Sequence, residues 1–195
     1  MVWNYRLGMS QNNAKISGTV LTEWYWYAAL KLEELNQLPE AQFLERIGGP
    51  LEGETWLAAK VIASRPFADV EALIAAFEQA IESASTDEKV KLIASHPDLA
   101  GTLDRALSAA SVQEQAAAGL NHLTPKEHAE FSALNNAYRT RFGFPFVICA
   151  RENTKDSILT QFRPRLEQPR DQEIETGAAQ VFRILRLRLL DLITD

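Results

Sequence analysis

Apolar positions recur with a helical period along most of this chain. After Asp69, the residues Val70, Leu73, Ile74, Phe77 and Ile81 fall at i, i+3, i+4 and i+7 spacing, which predicts an amphipathic helix with Asp69 as its N-cap. Thr86 is read as the cap of the next helix. That helix carries Val90, Leu92 and Ile93 and ends before His96-Pro97, because a residue preceding proline is pushed out of the α region. Thr124-Pro125-Lys126-Glu127 combines a cap, a first-turn proline and a Glu three residues after the cap. The helix it starts has Phe131, Leu134, Tyr138 and Phe142 on one face, and Gly143 ends it. A long last helix starts near Asp171, with Val181, Leu185, Arg188 and Leu192 on one stripe. Shorter helices are read from Leu38-Pro39 to Ile47 and from Trp56 to Ala63. Phe144 to Cys149 reads as extended, but Pro145 sits inside it and no partner strand is visible, so no sheet is expected there. The fold class is all-α, a single irregular helical bundle, with no repeats and no interdomain linker.

Residues 1–30 have a different texture: Trp3, Trp24 and Trp26 lie among polar residues such as Gln11, Asn12 and Asn13. The basic start, apolar core and small-residue cleavage site of a signal peptide are missing. The segment is expected to be a poorly ordered N-terminal extension, or residues added by an upstream start codon, ahead of a domain over 31–195.

Composition narrows the function classes. Apolar residues make up 46% and charged residues 24%, as in an ordinary globular domain. Twenty Lys and Arg against 26 Asp and Glu leave a net charge of -6, which argues against a protein that tracks nucleic-acid phosphates. No apolar run reaches the ~18 residues of a membrane span, so no membrane partner is expected. The single cysteine, Cys149, excludes an internal disulfide and a Cys-based zinc site, and it fits a reducing, cytoplasmic setting. No metal-spaced His pair, phosphate-binding Gly loop or Ser-His-Asp order occurs.

Four places could carry chemistry. In Ser95-His96-Pro97-Asp98-Leu99 a histidine ends a helix and is fixed by the proline after it. It could exchange a proton near neutral pH, or it could simply satisfy the last helix carbonyls. Ser111-Val112-Gln113-Glu114-Gln115 fits a Ser-x-x-Glu capping box. It also fits a helix start that grips an anionic small molecule. Phe142 to Arg151 is an extended segment pinned by Gly143, Pro145 and its aromatics. Its backbone groups need partners, which a ureido- and amide-rich ligand or the protein itself would supply. Arg188 interrupts an apolar stripe and, if buried, must meet an anion, although Arg186 could trade roles with it. His122 and His128 read as surface residues, and Cys149 as a buried small residue rather than a nucleophile.

Taken in order, these pieces resemble the family of 2-oxo-4-hydroxy-4-carboxy-5-ureidoimidazoline (OHCU) decarboxylases. The matching residues are Ala63 to Phe67, Ser95 to Leu99, Ser111 to Gln115 leading into Ala118-Gly119-Leu120, Leu134 to Tyr138, Phe142 to Ala150, and Leu187-Arg188-Leu189. They span roughly residues 31–193. The resemblance implies an all-α, cofactor-independent, cytoplasmic homodimer that converts a small ureidoimidazoline to (S)-allantoin and CO2 in urate degradation. It implies His96 as the catalytic histidine and Glu114 as a site residue in contact with substrate; the chemistry then suggests His96 as the proton donor, with Glu114 orienting it or holding the hydroxyl and ureido N–H groups. It also implies substrate contacts from Pro97, Ser111, Gln115, Arg188 and the main chain of Phe146, Val147, Ile148, Cys149 and Ala150. The alternatives are a helical binding or interaction module with a decayed site, and another lyase or hydrolase of ureide chemistry.

Overall fold

The computed structural model describes residues 29–101 and 108–194. Apart from its last two positions, the expected extension over 1–30 lies outside the described residues. The helices follow one another as α1 (Leu32–Gln37), α2 (Glu40–Gly48), α3 (Thr55–Val61), α4 (Val70–Glu82) and α5 (Thr86–Ala94), then α6 (Ala109–Ala117), α7 (Pro125–Phe142), α8 (Lys155–Leu166) and α9 (Arg170–Leu192). A 3-10 turn at Ile62–Ser64 continues α3, and another at Ala150–Glu152 leads toward α8. The one extended pairing among the described residues is a two-residue parallel bridge of β1 (Leu30–Lys31) with β2 (Ile193–Thr194). The chain is therefore mostly α, as the periodicity predicts.

The stripes form the core. Val70, Leu73, Ile74, Phe77 and Ile81 of α4 are all buried, and Asp69 caps the helix by accepting from the Ala72 N–H at 2.7 Å. The cap of α5 is Ser85 rather than Thr86. Ser85 Oγ accepts from the Glu88 N–H at 3.3 Å while Glu88 accepts from the Ser85 N–H at 2.8 Å. The reason is spacing: a Glu lies three residues after Ser85, whereas Lys89 lies three after Thr86. On α7, Thr124 and Glu127 make the predicted capping box, and Gly143 closes the helix in the left-handed region at φ 82°. Phe131, Tyr138 and Phe142 are buried, while Leu134 is only partly so.

Helix α9 is the spine. It packs on α4 and α5, and Val181, Leu185, Leu189 and Leu192 lie in the core. A Cβ on Gly177 would lie 2.8 Å from Ile93 Cδ1, so glycine is what lets α9 approach α5 this closely. That approach fixes the end of α5, where His96 follows, relative to the helix bearing Arg188.

The α7 start yields a first prediction. Its Glu127 is held down at about 2 by the Lys155 ammonium and then by the Thr124 N–H and hydroxyl. A depressed carboxylate stabilises the fold fully above its free value of 4.5 and loses that contribution as pH falls toward about 2. Glu127→Gln should therefore melt below wild type at neutral pH. In melts followed by circular dichroism, the gap should narrow steadily between pH 4.5 and pH 2.

Candidate active site

Where α5 ends, Ser95 takes the C-cap position and His96 comes next, its N–H donating to Ile93 O at 3.1 Å. The imidazole is 5% exposed, and Nδ1 lies 3.1 Å from Leu92 O and 3.3 Å from Ser95 Oγ. Ser95 Oγ itself donates to Leu92 O at 2.7 Å. A carbonyl acceptor draws the proton to Nδ1, so the neutral ring carries its lone pair on Nε2. The carbonyl-satisfying role thus occupies one ring nitrogen, while the ring itself lines a cleft.

That cleft is narrow and partly open: about 340 Å3 of non-atom space, much of it continuous with solvent, lies between its walls. Of the residues singled out from the sequence, His96, Pro97, Ser111, Glu114, Gln115, Phe146, Val147, Ile148, Ala150 and Arg188 line it, and Leu99 and Ile184 join them. Cys149 does not. Its N–H donates to Gln180 Oε1 at 2.9 Å and its C=O accepts from Asn153 Nδ2 at 3.0 Å, so its main chain is committed to the fold. Burial, and then the nearby Glu152 charge, push its thiol up to about 11, which keeps it protonated and unreactive at neutral pH.

Helix α6 begins three residues earlier than the Ser-x-x-Glu pattern predicts. Ser108 is the N-cap and accepts from the Ser111 N–H at 3.1 Å, so Ser111 and Glu114 make no capping box. Two serines three apart offer two candidate caps, and the fold uses the first. With capping delegated to Ser108, the Ser111 hydroxyl turns to Glu52, donating at 2.7 Å. Glu114 stands beyond the first turn, with both oxygens on Arg188: Nε donates at 2.9 Å and Nη2 at 2.7 Å.

Arg188 is 6% exposed and spends its whole donor set on the protein. Besides Glu114, Nη1 donates to Glu52 Oε1 at 2.7 Å and to Pro50 O at 3.2 Å, and Nη2 reaches Ser111 Oγ at 3.2 Å. Burial alone would lower its pKa, but the hydrogen bond and charge of Glu114 and then of Glu52 outweigh it and raise the value. Glu52 shows the mirror behaviour. Burial pushes it up, and the Arg188 charge with the Ser111 and Arg188 hydrogen bonds brings it below the ordinary carboxylate value. Arg186 is half-exposed and pairs with Glu71 at 3.5 Å, so Arg188 is the arginine at the cleft. Sequence reasoning missed Glu52. The only local signal is the Gly-Gly-Pro-Leu-Glu-Gly run over 48–53, which marks a tight loop, and Glu52 sits there at φ 51°.

The other walls are held from behind. Gln115 Oε1 accepts from the Ala100 N–H at 3.0 Å, Asn135 Nδ2 donates to Leu99 O at 2.8 Å, and Arg139 Nε bridges both Asp98 oxygens at 2.9 and 3.0 Å. These contacts anchor the loop that follows His96-Pro97. Phe146 stacks on Phe162 with centroids 3.8 Å apart, and the Arg165 guanidinium lies 4.3 Å from the Phe146 ring while Nη1 donates to Val147 O at 2.8 Å. Arg165 in turn is buried against Glu173 and Tyr138. Ile148 also lines the cleft and makes no backbone hydrogen bond among the described residues. No group of three or more His, Cys, Asp or Glu side chains suited to a metal ion occurs among the described residues.

A protein-family model described as OHCU decarboxylase matches residues 36–190. The 2-oxo-4-hydroxy-4-carboxy-5-ureidoimidazoline decarboxylase of Amia calva is 39% identical over 166 residues, covering 84% of this chain and 95% of that protein. A uric acid degradation bifunctional protein of Bacillus subtilis is 35% identical over 164 residues, covering 84% of this chain and 33% of that protein. A crystal structure of (S)-allantoin synthase superposes with a TM-score of 0.66 at 27% identity, covering 84% of this chain and 54% of that one.

The Arg188 cluster predicts a pH-dependent stability defect. Arg188→Met should cost about 3–5 kcal/mol at pH 7, because it leaves two buried carboxylates uncompensated. Without the guanidinium, burial is left to raise the Glu52 carboxyl above its unfolded value, so the variant regains part of the loss as pH falls from 7 to 5. Urea unfolding at both pH values measures this, and an equal deficit at the two would contradict it.

Proposed function

We propose a mechanism from one premise: the chain belongs to the OHCU decarboxylase family. It is a carboxy-lyase that decarboxylates 2-oxo-4-hydroxy-4-carboxy-5-ureidoimidazoline in urate degradation. The carbon that loses CO2 also bears a hydroxyl and adjoins a ring C=N, so the substrate supplies its own electron sink. The C–CO2 bond breaks, its electron pair forms the ring C=C, and the C=N nitrogen takes up the charge. The hydroxyl then gives up its proton as C=O forms, that ring nitrogen becomes N–H, and the ureido-bearing carbon takes one proton on one face. Overall one proton is taken up and one CO2 leaves, giving (S)-allantoin.

The protein has three tasks: to hold the ring rigidly, to place charge where it develops, and to deliver the proton from one side. His96 delivers it. Its Nδ1–H is engaged by Leu92 O, which leaves Nε2 as the nitrogen that carries the exchangeable proton. Main-chain groups of the Phe146 to Ala150 wall, Ile148 above all, meet the ureido and lactam edges, with Pro97 beneath the ring. Gln115 acts on the substrate and on the loop it ties to α6. Glu114, already paired to Arg188, presents an oriented carboxylate to the hydroxyl and ureido N–H groups. The observation that carries this reading is the single cleft shared by His96, the Arg188–Glu114 pair and the Phe146 to Ile148 segment.

We take residues 31–195 as one catalytic domain, working as a cytoplasmic homodimer. Family resemblance supports the dimer and the location. Among the described residues no helix is long and apolar enough to cross a membrane.

His96→Asn keeps a donor for Leu92 O but cannot serve as a general acid. It should stay folded and lose ~10²–10⁴-fold in kcat. Freshly generated substrate, CO2 release and the growing circular dichroism of the product give the readout. A wild-type rate from this variant removes His96 from the proton-transfer role.

A further inference from the structure

Glu52 is absent from the cleft wall, yet it touches much of what forms that wall. Its Oε1 accepts from Arg188 Nη1 at 2.7 Å, from Ser111 Oγ at 2.7 Å and from Ser108 Oγ at 3.0 Å. Arg188 and Ser111 line the cleft, and Ser108 caps the helix that presents Ser111 and Glu114. The neighbouring Pro50 carbonyl takes a further Arg188 N–H at 3.2 Å. A single oxygen therefore joins α6 to α9 through the loop between α2 and α3. Its backbone is held in the left-handed region at φ 51°, which a non-glycine residue occupies at a cost. The side chain it carries is turned inward, only 9% exposed.

We propose that Glu52 is a positioning residue of the decarboxylation site, fixing Arg188 and Ser111 in their working orientation without touching the substrate. The inference rests on the decarboxylase reading above. Without Glu52, Arg188 keeps Glu114 and Pro50 O but loses the charged, shorter acceptor on its far edge, and Ser111 loses the partner that points its hydroxyl. Both side chains can then tilt by a fraction of an ångström while the fold persists. A displacement of that size acts on orientation in the transition state more than on ground-state binding.

The test compares wild type, Glu52→Ala and Glu52→Gln by steady-state kinetics on freshly generated substrate, with melting curves alongside. Glu52→Ala should lower kcat about a hundredfold with KM changed less than about threefold. Glu52→Gln keeps an acceptor oxygen at the same reach and should recover kcat to about three- to tenfold below wild type. Either of two results overturns the inference: both variants within twofold of the wild-type kcat, or a loss carried by KM instead. A Gln variant no better than Ala, or one that fails to fold, also overturns it, since the carboxylate would then act by charge or by stability alone. If wild type itself releases no CO2, the decarboxylase reading falls and this inference with it. If wild type turns over and the Glu52 variants match it, only the inference falls.

Discussion

A guanidinium taken out of water must find an acceptor for each of its N–H groups, and here that requirement organises the cleft. Arg188 can donate five hydrogen bonds, and none of the necessary acceptors lies on its own helix. They come from Glu114 and Ser111 on α6 and from Pro50 and Glu52 in the loop after α2. Segments separated by 74 to 138 residues in sequence are thereby drawn to one point. Such an ion cluster is not a cheap source of stability, because desolvating three charges costs about as much as their attraction returns. Its value is geometric: a planar fork accepts few arrangements of partners, so each partner is held in one.

A second buried cluster does the same for the opposite wall. Glu173 is fully buried, and Arg165 and Tyr138 both donate to it. Arg165 has one more edge, and that edge holds the Val147 carbonyl. Around it, Phe142, Phe144, Phe146 and Phe162 pack against Tyr138 with ring centroids 4.6 to 6.1 Å from it. The segment from Phe144 to Cys149 therefore needs no sheet to stay extended. Aromatic packing and one arginine hold points along it, and Ile148 among them lines the cleft.

What the sequence reveals and what it hides divides along sequence distance. Periodicity finds α4 and α9, and a cap, proline and Glu in series find the start of α7, because those signals lie within a turn or two of the residues they describe. His96, Pro97 and Arg188 stand out for the same reason: each breaks a local rule. Where two local solutions compete, spacing alone cannot choose, as with Ser85 against Thr86 and Ser108 against Ser111. Glu52 is hidden altogether. Its significance comes from a partner 136 residues away, and its neighbours read only as a tight turn. Cys149 differs from its neighbours in a way the sequence does not show: Phe146, Val147, Ile148 and Ala150 line the cleft, while the Cys149 main chain bonds to Gln180, 31 residues away, and to Asn153.

The saturation of Arg188 also bears on the chemistry. A free arginine in this position would bind the substrate carboxylate firmly, and that charge is what the reaction disperses as CO2 departs. Binding energy spent on the ground-state carboxylate would raise the barrier by the amount lost in the transition state. With Glu52 and Glu114 already on its edges, Arg188 offers an incoming carboxylate little, and the three side chains together carry one surplus negative charge. On the mechanism proposed above, that surplus would repel the substrate carboxylate and favour a protonated His96 imidazole in the same cleft. Both effects would then act in the direction of carbon dioxide loss followed by proton delivery, so an arginine at a decarboxylation site can serve best when its charge is already answered by the protein.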